Sequence, residues 1–176
     1  MPSSSGKGET FIKRYLPEIS AQKVLDVGCG KGDLVKRYRT EGQHWTGVEI
    51  FKPYIETYRL KKKYDKVICA DARTHDFGTD TYDLIFAGDV LEHMSYEEAQ
   101  DLMRRLQEAA PWVIISIPLG YYPQGTVNGN MAERHITNYW DNDKVREKFG
   151  DFDYYAVTLP VGTYIYRRKP CVSQLA

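Results

Sequence analysis

The chain has 176 residues, which is the length of a single domain that can bury a substantial hydrophobic core. Lys plus Arg and Asp plus Glu both number 24, so the formal net charge of zero gives no overall field for a polyanionic partner. No run of about 18 apolar residues indicates a membrane span, and the polar N-terminus has no apolar signal core.

The first predicted elements alternate between helices and strands. Residues 10–19 (TFIKRYLPEI) place their apolar side chains on one helical face, and we expect Pro17 to cut this helix short. Segment 1–20 is then a lid or a packing segment. The buried strand KVLDVG, a helix ended by Gly42, the strand HWTGVEI and a helix opening near Pro53 follow.

The later elements continue this alternation and then change character. KVICAD and YDLIFAGD predict a third and a fourth strand, joined by a polar loop with little room for a full helix. Ser95 and Glu98 form a capping box that opens the strongest predicted helix, Pro111 ends it, and WVIISIPL predicts a fifth strand. DYYAVTLP and TYIYRRK are so close in sequence that they predict an antiparallel hairpin.

The order of these elements predicts the fold class. Strands that are apolar on both faces and alternate with helices form parallel sheets covered on both sides. We therefore expect an α/β fold with a doubly wound, mostly parallel seven-stranded sheet, helices on both faces and a C-terminal antiparallel hairpin. Residues 1–176 form one domain in this prediction. Segment 119–140 is a long irregular loop rich in Gly, Asn and Tyr, and loops of this length are usually functional or disordered.

The segment DVGCGKGD links the first strand to the next helix. In a doubly wound sheet, ligands bind beyond the carboxyl ends of the strands, where helix N–H groups attract anions. Gly28, Gly30 and Gly32 read G-x-G-x-G, one residue short of the dinucleotide fingerprint. Asp26 would repel a pyrophosphate but favour an ammonium or sulfonium cation, so the charge argues against NAD.

Acidic residues also end the next three strands. Glu49 is placed to accept hydrogen bonds from two ribose hydroxyls, which several adenosine cofactors require. Asp71 could accept from the amine of an adenine, and Asp89 could face a second positive group. The acids Asp26, Asp71 and Asp89 could each instead cap a loop without touching a ligand. Four such acids around one glycine loop favour an adenosine cofactor.

These motifs resemble those of the class I S-adenosylmethionine-dependent methyltransferases, roughly from Lys23 to Lys169. DVGCGKGD is similar to the family's first motif, GVEI to the second, ADA to the third and YDLIFAGDVLEHM to the fourth. The resemblance implies S-adenosylmethionine as cofactor, S-adenosylhomocysteine as its product, and the final hairpin. It implies that the cofactor-binding residues are Asp26, Gly28, Cys29, Gly30, Glu49, Ile50, Asp71, Ala72, Asp89 and Val90.

The resemblance also implies a role for most of these residues. Asp26 would lie near the methionine ammonium and Glu49 at the ribose. Asp71 and Ala72 would lie beside the adenine. The residues that close the methionine side would be Asp89 and Val90.

Candidate catalytic residues follow from the chemistry of methyl transfer. The reaction is an in-line displacement, in which the protein contributes alignment and, for an acceptor proton with a high pKa, a base. His135 in loop 119–140 is the candidate base, although it could be an ordinary exposed histidine. His93 in LEHM is a weaker candidate, because histidines there are more often structural. Substrate-binding candidates in the same loop are Tyr121, Tyr122, Glu133 and Arg134.

A metal site is not predicted. Asp89, Glu92, His93 and His135 could in principle gather a divalent ion, but no spacing in the sequence enforces this. The cysteines Cys29, Cys69 and Cys171 are odd in number and show no metal-ligand spacing, which fits a reducing, cytoplasmic setting.

The expected function is transfer of a methyl group from S-adenosylmethionine to an oxygen or nitrogen of a small polar acceptor, such as a metabolite, a sugar or a natural product. RNA and protein acceptors stay open, because a domain with almost no cap leaves its cofactor cleft accessible to a large partner. The neutral charge argues against nucleic acid. A non-catalytic cofactor-binding scaffold and a dinucleotide oxidoreductase stay open as well, and nothing in the sequence indicates an oligomeric state.

Overall fold

One seven-stranded sheet organises the computed structural model, which describes residues 6–169. Its strand order is β3-β2-β1-β4-β5-β9-β8, with β1 to β5 parallel and β9 antiparallel to both β5 and β8. Strands β6 and β7 form a separate antiparallel pair. Within the described residues the strands are β1 (Lys23–Val27), β2 (His44–Glu49), β3 (Lys66–Cys69), β4 (Leu84–Gly88), β5 (Trp112–Pro118), β6 (Gly120–Tyr121), β7 (Tyr139–Trp140), β8 (Tyr154–Thr158) and β9 (Val161–Arg167).

The predicted helices form, with some differences at their ends. Pro17 lies inside the first helix and does not end it, contrary to expectation, because its ring interrupts only the last turn and buried Ile19 still packs in the core. The second helix ends at Tyr38, before Gly42, because Arg39 is already extended. The α-helices are α1 (Glu9–Ile19), α2 (Asp33–Tyr38), α3 (Lys52–Thr57), α4 (Tyr96–Ala109) and α5 (Asn142–Phe149), and 3₁₀ turns cover Leu60–Lys62, Leu91–His93 and Met131–Glu133.

A hydrophobic core lies on each face of the sheet. Successive strand residues point to opposite faces, so Leu25 and Ile85 belong to one core while Val24 and Leu84 belong to the other. Helices α4 and α5 cover the first core, and helices α1, α2 and α3 cover the second. The doubly wound arrangement with helices on both faces is therefore confirmed, as is the hairpin formed by β8 and β9.

The sheet topology brings the predicted site residues to one edge. Strands β3, β2, β1, β4 and β5 are neighbours in that order, and all five end at the same side of the sheet. The residues at or just beyond these ends are Asp71, Glu49, Gly28, Asp89 and Pro118, respectively. This edge is where ligands bind in open α/β sheets.

Some expectations concern residues outside the described range. Cys171 and residues 1–5 of the expected N-terminal segment are among them. Of the described cysteines, Cys29 is buried and Cys69 is exposed, and both are free thiols. Within residues 6–169, no helix has the length and apolar character needed to cross a membrane.

Candidate active site

A cavity of about 810 Å³ opens at the carboxyl edge of the sheet. Its volume lies within the range of roughly 300–1,000 Å³ that small-molecule and cofactor sites occupy. Of the predicted cofactor residues, all except Asp26 line it. Among the other candidates, the structure brings His93, His135, Tyr122 and Glu133 to the same cavity, whereas Tyr121 and Arg134 lie outside it.

The path of the glycine loop after β1 requires a residue without a side chain at position 28. Gly28 has φ +65°, and a Cβ added there would lie 2.6 Å from a methyl carbon of Val90. Only glycine therefore lets this loop approach the turn that follows β4 so closely. Cys29 is buried within the loop, and burial raises the pKa of its thiol, which fits a packing role and no nucleophilic one.

Glu49 joins the end of β2 to this loop. Its buried carboxylate accepts hydrogen bonds from the Gly30 N–H at 2.9 Å and from the Phe51 N–H at 2.8 Å. Burial raises the pKa of Glu49. Each carboxylate oxygen accepts more than one hydrogen bond, so Glu49 retains acceptor capacity for ligand hydroxyls.

Asp26 lies beneath the loop and does not reach the cavity wall. It sits in the central strand, opposite Gly47 of β2 and Phe86 of β4, and is only 1% exposed. The Tyr64 hydroxyl donates to its Oδ2 at 2.6 Å, while Oδ1 has no hydrogen-bond partner among residues 6–169. Burial is the main cause that raises the pKa of Asp26 to about 7.

Asp71 is engaged by a neighbouring cation. Arg73 binds its carboxylate at 2.7 Å and reaches Glu98 at 3.2 Å, so the arginine links the end of β3 to α4. The hydrogen bond from Arg73 is the largest cause that lowers the pKa of Asp71. Ile50 and Ala72 add apolar surface to this part of the cavity, which suits a flat aromatic ring.

Asp89 and Ser116 fix the turn after β4. Asp89 has φ +55°, its N–H donates to the Ser116 carbonyl at 2.9 Å, and its Oδ1 accepts from the Ser116 hydroxyl at 3.0 Å. These bonds hold the residues after Asp89 at the mouth of the cavity, next to the glycine loop.

Loop 119–140 is an ordered cover that hydrogen bonds attach to the 3₁₀ turn after β4. The Glu92 carbonyl accepts from the N–H groups of Ile136 at 3.0 Å and Thr137 at 3.1 Å, and the Thr137 hydroxyl donates to the Met94 carbonyl at 2.8 Å. The pair of strands β6 and β7 and a 3₁₀ turn give the loop internal structure that its sequence did not predict.

The loop brings a cluster of titratable side chains together. One ligand atom each from Glu92, His93 and His135 lie within 4.8 Å of one another. Glu92 is 1% exposed, and burial, followed by the charge of Asp89, raises its pKa well above the ordinary value. Burial lowers the pKa of His93 to about 4 and also lowers that of His135, so both rings are neutral at pH 7.

Three residues that line or support the cavity belong to none of the sequence motifs. Gln124 lines the cavity, and its amide donates to the Glu133 carbonyl at 2.7 Å. Lys7 lines it from the N-terminal segment and donates to the Leu159 carbonyl, and Tyr64 supports Asp26 from below. Gln124 could have been predicted because it is a polar residue within loop 119–140, whereas nothing in the sequence around Lys7 or Tyr64 indicates a role at the cavity.

The fold and the cavity define a class of protein. A parallel sheet whose central strand ends in a glycine loop, beside a buried acid on the next strand, is typical of Rossmann-like proteins that bind nucleotide cofactors. A family model described as a methyltransferase domain matches residues 24–110. The chain belongs to the class I S-adenosylmethionine-dependent methyltransferases, a family of enzymes that convert this cofactor to S-adenosylhomocysteine.

Individual relatives agree with this assignment. The ubiquinone biosynthesis O-methyltransferase of Vibrio campbellii is 31% identical over 128 residues, which are 69% of this chain and 50% of that protein. The chain spans about half the length, or less, of the curated relatives that it matches.

Two solved structures show the same fold. A SAM-dependent methyltransferase of Leishmania major has a TM-score of 0.72 at 18% identity, covering 90% of this chain and 69% of that one. The 1,6-didemethyltoxoflavin-N1-methyltransferase of Burkholderia thailandensis, solved with 1,6-didemethyltoxoflavin and S-adenosylhomocysteine, has a TM-score of 0.66 at 17% identity. That match covers 92% of this chain and 77% of the other.

Proposed function

We propose that this protein transfers the methyl group of S-adenosylmethionine to an oxygen or nitrogen of a small polar acceptor. One observation carries the proposal: a single cavity joins the glycine loop to the ordered loop 119–140. A reaction between two bound molecules requires such a shared space. The names of one relative, a ubiquinone biosynthesis O-methyltransferase, and one structural neighbour, a 1,6-didemethyltoxoflavin-N1-methyltransferase, support a small acceptor.

The residues at the glycine end fit this cofactor. Gly28 and Gly30 leave backbone exposed to it, and the buried Glu49 carboxylate keeps acceptor capacity for ribose hydroxyls. Ile50 and Ala72 provide an apolar wall for the adenine. Asp26 lies outside the cavity, so in this proposal it supports the loop from beneath and does not contact the methionine ammonium.

The other end of the cavity would hold the acceptor. Tyr122, Glu133 and His135 line it, and the Tyr122 carbonyl holds the His135 ring through Nδ1 at 2.5 Å. S-adenosylmethionine supplies a methyl group that its sulfonium already activates. The acceptor atom would bond to the methyl carbon while the carbon–sulfur bond breaks and leaves its electron pair on sulfur. The proton of the acceptor would pass to solvent.

The decisive experiment follows labelled methyl groups. Purified protein is incubated with methyl-labelled S-adenosylmethionine and, separately, with a small-molecule extract, total RNA and total protein. We expect label in the small-molecule fraction alone. Label in RNA or protein would replace the proposed acceptor class. Calorimetric titration with S-adenosylhomocysteine, with NAD as the control, runs in parallel, and absence of both binding and label would contradict the proposal.

Variants test the assignment of the two ends. Glu49→Ala and Asp71→Ala should weaken binding of S-adenosylhomocysteine, whereas His135→Ala should retain binding and slow turnover. Tyr121→Ala is the matched control, because Tyr121 is 74% exposed and lies outside the cavity. Unchanged turnover in the His135 variant would remove this residue from the reaction.

A further inference from the structure

We propose that Glu92, His93 and His135 bind a divalent transition-metal ion, which holds a hydroxyl group of the acceptor. The role of the ion rests on the proposed function, but its binding does not. The three ligand atoms lie within 4.8 Å of one another. Because zinc lies about 2.0–2.2 Å from nitrogen and oxygen ligands, these atoms can share one ion after side-chain movements of roughly an ångström.

The carboxylate of Glu92 independently indicates a missing partner. Glu92 is 1% exposed and lines the cavity, and its Oε2 has no hydrogen-bond partner among residues 6–169. Buried carboxylates in proteins are paired, hydrogen-bonded or bound to metal, because an uncompensated buried charge is strongly unfavourable. A cation between Glu92 and the two imidazoles would satisfy this oxygen.

Both histidines are oriented as metal ligands usually are. Nδ1 of His93 lies 3.1 Å from the Arg134 carbonyl oxygen, and Nδ1 of His135 lies 2.5 Å from the Tyr122 carbonyl oxygen. Since a carbonyl oxygen only accepts, each neutral ring carries its hydrogen on Nδ1, which leaves the lone pair on Nε2, and the His93 ring also interacts with the backbone of Asp89. A second nitrogen that donates to a backbone carbonyl is the common support of a metal-binding histidine.

The backbone also fixes the relative positions of the ligands. Glu92 and His93 lie in the 3₁₀ turn Leu91–His93, and His135 comes from loop 119–140. Because the Glu92 carbonyl accepts the N–H groups of the two residues that follow His135, the loop cannot shift without breaking these bonds. The ligand set is therefore held by hydrogen-bonded backbone on both sides.

The ligand types select the kind of ion. Two imidazoles and one carboxylate suit zinc and its first-row neighbours, whereas magnesium prefers oxygen ligands alone. Three protein ligands leave coordination positions open, which is the pattern of catalytic metal sites and not of structural ones.

The position of the site gives the ion a role in the reaction. The turn after β4 is next to the glycine loop at the sheet edge, so the ion would lie between cofactor and acceptor. A divalent ion lowers the pKa of a bound hydroxyl, so the acceptor oxygen would release its proton to solvent before it bonds to the methyl carbon. The carbon–sulfur electron pair then stays on S-adenosylhomocysteine. This assigns oxygen as the methylated atom, and it makes His135 a ligand instead of the free base expected from the sequence.

Cobalt(II) is the probe that tests this site. Equilibrium dialysis should show about one ion bound per chain, with visible absorption bands typical of nitrogen and oxygen ligands. Glu92→Gln and His135→Ala should each weaken binding at least about tenfold. His44→Ala is the matched control, because His44 is exposed at the start of β2 and should not affect binding. Circular dichroism checks that each variant is folded.

Three outcomes would overturn the inference: no cobalt binding, undiminished binding in folded Glu92→Gln and His135→Ala, or a thiolate-to-cobalt charge-transfer band, which would place the ion on cysteine. Titration of the same proteins with S-adenosylhomocysteine separates this inference from the proposed function. Metal binding without cofactor binding would support the site and contradict the methyltransferase activity. Cofactor binding without metal binding would contradict the site alone.

Discussion

Asp26→Asn should remove a loss of stability that the wild-type protein undergoes as the pH rises towards neutrality. Burial is the largest cause that raises the pKa of Asp26 from its ordinary value of 3.8 to about 7, against the opposing hydrogen bond from Tyr64. Between these two pH values the unfolded chain releases this proton and the folded protein keeps it. Rising pH therefore favours unfolding throughout the interval.

The magnitude follows from the two pKa values of Asp26. One pKa unit corresponds to about 1.4 kcal/mol, so the difference between 3.8 and about 7 sets an upper limit of about 4 kcal/mol above pH 7. Between pH 5 and 7.5 this one group should cost roughly 2–3 kcal/mol of the free energy of unfolding. Asparagine has an amide oxygen that accepts from Tyr64 and has no proton to lose in this range.

Urea unfolding of both proteins at several pH values between 5 and 7.5 measures the effect. The comparison must be between variant and wild type, because His93, whose pKa is lowered to about 4, stabilises both as pH rises towards 6.5. The difference in unfolding free energy, variant minus wild type, should grow by roughly 2–3 kcal/mol. Asp151→Asn, at a 92% exposed side chain, controls for the loss of one charge. If the difference in unfolding free energy between Asp26→Asn and wild type did not change with pH, the buried Asp26 carboxyl group would not be protonated in the folded protein, and the reasoning would be refuted.

Further variants test the glycine loop, the strongest helix and the cover. Gly28→Ala should weaken S-adenosylhomocysteine binding roughly tenfold or more in calorimetry, whereas Gly42→Ala, also at positive φ but with open space around it, should not; equal effects would argue against the close approach. Ser95→Ala should lower the unfolding free energy by about 1 kcal/mol in urea titration through loss of the capping box, and an unchanged midpoint would contradict this. Thr137→Val should lose a hydrogen bond worth about 1 kcal/mol and speed proteolysis within loop 119–140; unaltered cleavage would show that the bond does not hold the loop.

The glycine-loop end of the cavity was predictable because its sequence signals are local. A strand that ends in an acid or a glycine can be recognised from a few consecutive residues, and the carboxyl ends of parallel strands lie at one edge of the sheet. The positions of Gly28 and Glu49 at the sheet edge could therefore be predicted once β1 and β2 were identified. Helix α5 has a comparable local signal, since Asp141 caps it and Val145 and Phe149 form its buried stripe.

The remaining features depend on contacts between distant parts of the chain. The Tyr64 hydroxyl donates to Asp26, which lies 38 residues earlier in the chain. Because of this hydrogen bond and the burial of its carboxyl group, Asp26 lies beneath the loop and does not line the cavity. The path of loop 119–140 follows no periodic pattern, so nothing in the sequence placed His135 beside Glu92. That contact is formed by backbone hydrogen bonds, which residue types do not reveal.

The 3₁₀ turn Leu91–His93 connects the two halves of the cavity physically. Leu91 is fully buried and anchors the turn in the core, and Val90 before it contacts the glycine loop. The carbonyl of Glu92 holds the cover loop. In the proposed function, backbone bonds to this turn would set the distance between cofactor and acceptor, and the exposed side chains of loop 119–140 could change without disturbing that distance. Selection of the acceptor should accordingly reside in those side chains, and alignment for methyl transfer in the turn.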